Sequence, residues 1–278
     1  MQIGKYNILK VARGTDFGLY LADEEGNEVL LPKKYTNEKM QPGTLGRVFV
    51  YKDSSDRIVA TTQKPMATVD EAAYLVVKDV TRAGTFLEWG LEKDLMLPFA
   101  EQKLRPKVGD NVLVYIYLDR ATERIVATTN INKFIKNNDV KYDTNQEVDV
   151  MICYDNEIGT RVIVENKYWG IIFKNEMFTP LEKGTHVKGY VKQVREDGKV
   201  DVALRKQGYE GAKDTTTLLL EKLELNNGLL RLSDNSAPEE IYAQLGISKK
   251  VFKKAVGILM KQGKVEPGDD FIKLKEKK

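Results

Sequence analysis

The hexapeptide Arg57-Ile58-Val59-Ala60-Thr61-Thr62 recurs unchanged as Arg124-Ile125-Val126-Ala127-Thr128-Thr129, and its surroundings recur with it. Leu30-Leu31-Pro32 matches Met96-Leu97-Pro98, and Gly18-Leu19-Tyr20-Leu21 matches Gly84-Thr85-Phe86-Leu87. Pro42-Gly43 before the run 45–51 matches Val108-Gly109 before 111–118. A weaker third copy runs Gly159-Thr160-Arg161-Val162, Gly170-Ile171-Ile172-Phe173, Lys183-Gly184 and Lys199-Val200-Asp201-Val202-Ala203-Leu204. The period of about 66–75 residues exceeds that of a solenoid, so each copy is a whole domain.

Inside each copy the pattern is β. Runs of five to eight residues rich in Val, Ile and Tyr are separated by turns such as Asp53-Ser54-Ser55-Asp56 and Glu196-Asp197-Gly198. The second copy predicts strands over 72–80, 84–90, 94–98, 111–118 and 124–129, and the first copy the same five in order. Five short strands in so few residues can remove their edges only by curling into a barrel. Gly18, Gly84, Gly109 and Gly184 are expected at its sharp bends, and Ile58, Ala60 and Thr62 on its inner side.

From Asp214 the period turns helical. A first helix is expected over 215–225. Ser236-Ala237-Pro238-Glu239 reads as a capping box with Ser236 as N-cap, and Gly246 as the left-handed stop. Ser248 is expected to cap a further helix reaching about 262, with Val251, Phe252, Ala255, Val256, Leu259 and Met260 facing the core. A hairpin follows over 264–274. Helix, helix, tight turn, helix and hairpin is winged-helix order. The fold class is therefore mainly β with a C-terminal α+β domain: three tandem five-stranded barrels of the OB type (1–64, 65–134, 145–207) and a winged helix (212–278).

Composition bounds the chemistry. The chain has one His (His186) and one Cys (Cys153), too few for a Cys/His zinc site, an internal disulfide or ordinary His-based catalysis. The acids are scattered among lysines; no catalysis, metal or cofactor is expected. No apolar run reaches the 18–20 residues of a membrane span and the N-terminus lacks a signal-peptide centre, so a cytoplasmic protein is expected. Residues 1–210 hold 31 Lys/Arg against 31 Asp/Glu, and residues 211–278 hold 13 against 10. Six lysines and no acid lie between Lys249 and Lys264, where phosphate attraction should concentrate.

The elements Gly84-Thr85-Phe86-Leu87, Gly90-Leu91, Gly109-Asp110 and Arg124-Ile125 resemble the S1 RNA-binding domain. Gly84 to Leu91, with Gly246-Ile247-Ser248-Lys249-Lys250-Val251-Phe252-Lys253-Lys254-Ala255, resembles the bacterial YitL/conserved virulence factor B family over essentially the whole chain. That resemblance implies three S1-like domains plus a winged helix, RNA binding and post-transcriptional regulation. It places the S1 surface aromatic of the second strand at Tyr20, Phe86 and Arg161, and the following third-strand position at Pro32, Pro98 and Phe173. No copy carries both aromatics, so each barrel alone should stack weakly.

Candidate RNA contacts follow, because OB-type faces stack bases on aromatics while cations follow the phosphates. Copy three ranks first, with Arg161, Lys167, Tyr168, Trp169, Phe173 and Lys174, and Lys188, Tyr190 and Lys192 on its next strand. Copy two offers Arg82, Phe86 and Arg124; copy one offers Tyr20, Lys33, Lys34 and Arg57. The winged helix offers Lys249, Lys250, Lys253 and Lys254. Against each stands a plainer reading: aromatics on alternating strands pack in cores, and lysines solvate surfaces. The expected partner is single-stranded RNA, bound by a monomer. Two alternatives stay open: a DNA-binding transcription regulator led by the winged helix, and a scaffold of degenerate barrels for ribosomal or RNA-processing proteins.

Overall fold

The computed structural model describes residues 1–177, 180–206 and 209–275. Three closed five-stranded barrels precede a small α+β domain. The first consists of β1 (Tyr6–Thr15), β2 (Gly18–Ala22), β3 (Glu28–Pro32), β4 (Leu45–Lys52) and β5 (Ile58–Thr61). The second consists of β6 (Ala72–Val80), β7 (Thr85–Glu88), β8 (Leu95–Leu97), β9 (Asn111–Asp119) and β10 (Arg124–Thr128). The third consists of β11 (Glu147–Asp155), β12 (Gly159–Val164), β13 (Tyr168–Phe173), β14 (His186–Val194) and β15 (Val200–Ala203). All three share one strand order, 1-2-3-5-4, closed by a parallel contact between third and fifth strands.

Closure requires the first strand to pair with both the second and the fourth. Each first strand does so through a bulge at the same place, between Val11 and Arg13, Val77 and Asp79, and Ile152 and Tyr154; an extra residue there bends and twists the strand. In barrels one and three the second strand then starts so close to the third that only glycine fits. A Cβ on Gly18 would lie 2.1 Å from the Leu31 carbonyl oxygen, and one on Gly159 would lie 2.2 Å from that of Ile172.

In the first unit, residues 1–136, barrel one has its own core of Leu9, Val11, Leu21, Val29, Leu31, Val48, Val50 and Ala60. The opposite face of β4 and β5, with Phe49, Tyr51 and Val59, is buried in a second cluster that runs through linker residues Ala67 and Val69 and Trp89 into barrel two's interior. The end of the linker, Ala67 to Val69, is therefore packed and the two barrels share a core. This revises the expectation for the repeated hexapeptide. Ala60 points inward, but Ile58 is 44 % exposed at the barrel rim, and Val59 on the other face is buried by barrel two.

The second unit, residues 137–278, holds barrel three and the C-terminal domain: α1 (Tyr209–Leu225), β16 (Leu229–Leu230), α2 (Pro238–Leu245), α3 (Lys249–Lys261), β17 (Val265–Pro267) and β18 (Ile272–Leu274). The wing has a third strand, β16, beside β18, which two residues were too short to announce. Helix α1 starts earlier than the leucine pattern indicates. The N-cap of α2 is Ala237, without a side-chain cap, because the Ser236 hydroxyl accepts from the Ser233 N–H in the preceding turn instead. Gly246 ends α2 at φ 65 and Ser248 caps α3. Phe252, Ala255, Val256 and Leu259 form the buried stripe of α3, while Val251 and Met260, at its margins, are 37 % and 47 % exposed.

Candidate nucleic-acid interface

The outward face of each second and third strand follows from alternation: residues between the core positions must point away from the barrel axis. Tyr20, opposite Arg13 on β1, is half-buried with the Arg13 guanidinium 3.9 Å above its ring; Glu28 accepts from that guanidinium at 2.7 Å. Phe86, opposite Met96, is half-buried. In barrel three Arg161 lies 4.3 Å over the Trp169 ring, and Arg195 lies 5.4 Å from Phe173. Tyr20, Phe86, Arg161 and Phe173 all stand outside the inner cores.

The outward side of barrel three is largely covered. Trp169 is only 7 % exposed, and Met151, Cys153, Ile163 and Ile171 on the same outward side are buried with it. Burial pushes the Cys153 thiol up to about 12. Tyr168, next to Trp169, faces the opposite way, packing on the inner core and edge-on to Tyr142 at 5.8 Å. Trp169 therefore offers almost no free surface, and Tyr168 is half-buried. The equivalent side of barrel two is open, with Val76 43 % exposed and the Lys78 side chain 54 % exposed.

One corner of this face recurs in an exposed form in all three barrels. The residue before the second-strand glycine is Phe17 (79 % exposed), Ala83 and Ile158 (55 % exposed). It lies beside the residue that follows the third strand: the Lys33 N–H donates to the Phe17 carbonyl at 2.9 Å, and the Lys174 N–H to the Ile158 carbonyl at 3.2 Å. In barrel two the corresponding residue is Phe99, 42 % exposed, with the Arg105 guanidinium 5.9 Å from its ring. Phe17 and Phe99 were missed from the sequence. Their signal was positional, immediately before the repeated glycine and immediately after the repeated Leu-Pro.

The cations divide into two sets. Arg57 closes its own turn on Asp53 at 2.7 Å, whereas its repeat Arg124 reaches Asp56 of barrel one and holds that carboxyl below its ordinary range. Lys34 pairs with Glu92 across the same two barrels. Lys188 pairs with Glu147 at 2.8 Å, Lys192 with Glu176 at 2.6 Å, and Lys253 with Asp234 at 3.4 Å. Lys33, Arg82, Lys167, Lys174, Lys249, Lys250 and Lys254 have no ion-pair partner among the described residues. In the second unit, Lys206 stands 5.8 Å from the half-buried Tyr190 ring on β14, and the Arg205 guanidinium lies against Gly246 in the α2–α3 turn. Arg205 and Lys206 thus link barrel three's β14 to the lysine-bearing start of α3.

The sequence matches the S1 domain family over residues 3–63 and 71–130, and the CvfB-like winged helix domain over 217–274. It is 29 % identical over 273 residues to the YitL protein of Bacillus subtilis, covering 95 % of this chain and 91 % of that one. It is 23 % identical over 274 residues to conserved virulence factor B of Staphylococcus aureus, covering 94 % and 90 %. The chain is thus similar to the YitL and conserved virulence factor B proteins over more than nine-tenths of its length. A crystal structure of a multidomain protein with nucleic acid binding domains from Streptococcus pneumoniae is similar over 98 % of both chains, at 25 % identity and a TM-score of 0.40. This chain combines S1 and winged-helix domains, and those domains point to nucleic-acid binding. Barrel three lies outside the S1 matches but has the same strand order. Among the described residues, no helix is long and apolar enough to cross a membrane, and no group of three His, Cys, Asp or Glu could hold a metal ion.

Proposed function

We propose that the chain binds single-stranded RNA and regulates it after transcription, using the outer faces of the barrels together with the basic start of α3. The observation that carries this reading is the exposed corner of each barrel: Phe17 and Ile158 are exposed and backbone-bonded to Lys33 and Lys174, and in barrel two the exposed Phe99 lies under Arg105. An exposed phenyl ring gains nothing from folding; it gains when a base stacks on it, about 1–3 kcal/mol for each base. Bases within a duplex are already stacked and hidden, so the corner favours unpaired strands, and S1-type faces suit RNA. Several weak sites on one chain add through effective concentration, which suits barrels that each lack a complete aromatic pair. The second unit supports the same reading through Tyr190, Lys206, Arg205 and the α3 lysines. Lys250 and Lys254 meet phosphates there, and α3 lacks Arg, Asn or Gln in its first turns to read duplex base edges.

The test is anisotropy of a labelled, unstructured RNA with the full chain at about 50 mM salt, repeated as salt rises and with duplex DNA as competitor. Binding at micromolar concentration or tighter is expected, falling steeply with salt. No retention at low salt, or preferential displacement by duplex, would refute it. The scaffold reading draws on the ion-paired state of Arg57, Arg124, Lys34, Lys188 and Lys192, and a chain that fails to retain RNA at low salt would favour it.

A further inference from the structure

The loop joining β8 to β9 differs from its two counterparts in a way the barrel does not need. In barrel one the equivalent loop carries Glu38 beside Lys39 and turns Met40 back onto the barrel core. In barrel three it carries Glu182 beside Lys183, and Met177 and Leu181 pack on the core. In barrel two the segment Lys103-Leu104-Arg105-Pro106-Lys107-Val108 holds three cations and no acid. Its apolar residues point out: Leu104 is 83 % and Val108 63 % exposed.

The loop is nonetheless held in place. At its start the Lys103 N–H donates to the Thr129 hydroxyl at 2.8 Å, and the Gln102 amide donates to the Leu97 carbonyl at 2.9 Å. At its end the Lys107 N–H donates to the Asp110 carboxylate at 2.7 Å, and the Gly109 N–H to the Val77 carbonyl at 2.8 Å. Pro106 stiffens the projecting part. The nearest acids are occupied: Glu101 pairs with Lys133 at 2.8 Å, and Asp110 caps the loop's own backbone. Lys103, Arg105 and Lys107 have no ion-pair partner among the described residues, whereas Lys78, Arg124 and Lys133 of the same barrel are paired. The loop adjoins the outward face, since Arg105 lies over Phe99, which directly follows β8.

We infer that this loop is a second nucleic-acid contact of barrel two, a pre-formed finger that continues the strand's path beyond Phe86 and Phe99. Lys103, Arg105 and Lys107 meet successive phosphates, and Leu104 packs against a base or sugar. The inference rests on the RNA reading above. Charge selects the occupant: three unpaired cations around an exposed leucine suit a polyanion that also offers flat apolar surface, and an unpaired RNA strand has both.

The test compares full-length wild type, the triple variant Lys103→Ala/Arg105→Ala/Lys107→Ala and the single variant Leu104→Ser, using a labelled unstructured RNA long enough to pass from Phe86 to the loop. About 0.7 counterions are released for each single-strand phosphate, so the triple variant should lose about 2 from the slope of log affinity against log salt, with affinity at 0.1 M salt falling by up to roughly a hundredfold. Leu104→Ser should weaken binding severalfold with the slope unchanged. Both variants alter exposed side chains and should keep the wild-type melting curve. A triple variant with wild-type affinity and slope overturns the inference and leaves the RNA reading standing; a wild type that does not bind RNA removes both. Unchanged RNA binding with lost binding to phosphatidylglycerol vesicles or polyglutamate would assign the loop to another polyanion, and so overturn it.

Discussion

Phe49→Ala tests whether barrels one and two are one folding unit. Phe49 belongs to β4 of barrel one, points away from that barrel's core and is 0 % exposed. Its ring meets Tyr6 edge-on at 5.7 Å, Tyr51 at 6.2 Å and Trp89 of barrel two edge-on at 5.8 Å. Removing a buried phenyl ring costs roughly 3–5 kcal/mol in transfer and cavity terms. The surrounding rings are held on two separate barrels and cannot easily close the gap, so about 4 kcal/mol is expected. With a urea dependence near 2 kcal/mol per molar, the unfolding midpoint should fall by about 2 M. The ion pairs at the same junction are surface-exposed and cannot offset this. The chain has two tryptophans, one in each unit, so a Trp169→Phe background leaves Trp89 as the reporter. The prediction is that a change in barrel one shifts the fluorescence transition of a tryptophan in barrel two by the full amount. If Trp89 keeps its midpoint while circular dichroism shows earlier loss of barrel structure, the barrels fold independently and the shared core is not what couples them.

Three other outcomes follow from the same structure. Phe17→Ala should leave the melting curve unchanged, because the ring is 79 % exposed, and should weaken RNA binding between about fivefold and a hundredfold in an anisotropy titration. Burial raises Cys153, Tyr51, Tyr115 and Tyr142 to about 12, so the folded state holds these protons more tightly than the unfolded one. Their stabilisation is complete below about pH 9 and is lost as pH rises toward 12; urea midpoints measured across that window should fall, and Cys153 should resist thiol reagents at pH 8 until the chain unfolds. At the acid end, Arg124 and Lys34 hold Asp56 and Glu92 below their ordinary range, so this contribution is present above about pH 4 and is lost as pH falls further. Asp56→Asn should flatten the acid limb of the Trp89 transition, and an unchanged limb would show that the pair contributes nothing.

The sequence by itself determined the number of barrels, the five strands of each along the chain, and the winged helix. Those depend on local patterns: alternation, turn residues, helical spacing and a repeated register that one hexapeptide exposes. It left open whether Phe86 and Arg161 stand outside the cores, which the packed structure decides. Only the tertiary structure decided what covers an outward face. Val59 and Phe49 are outward in barrel one and still buried, because barrel two packs on them. Trp169 is an outward aromatic with almost no free surface, whereas Phe17 and Leu104 stand open. The identical Arg57 and Arg124 take different partners, one in its own turn and one on the neighbouring barrel. Exposure and ion pairing depend on residues far away in the chain, and a periodic pattern reports only which way a side chain points, not what it meets there.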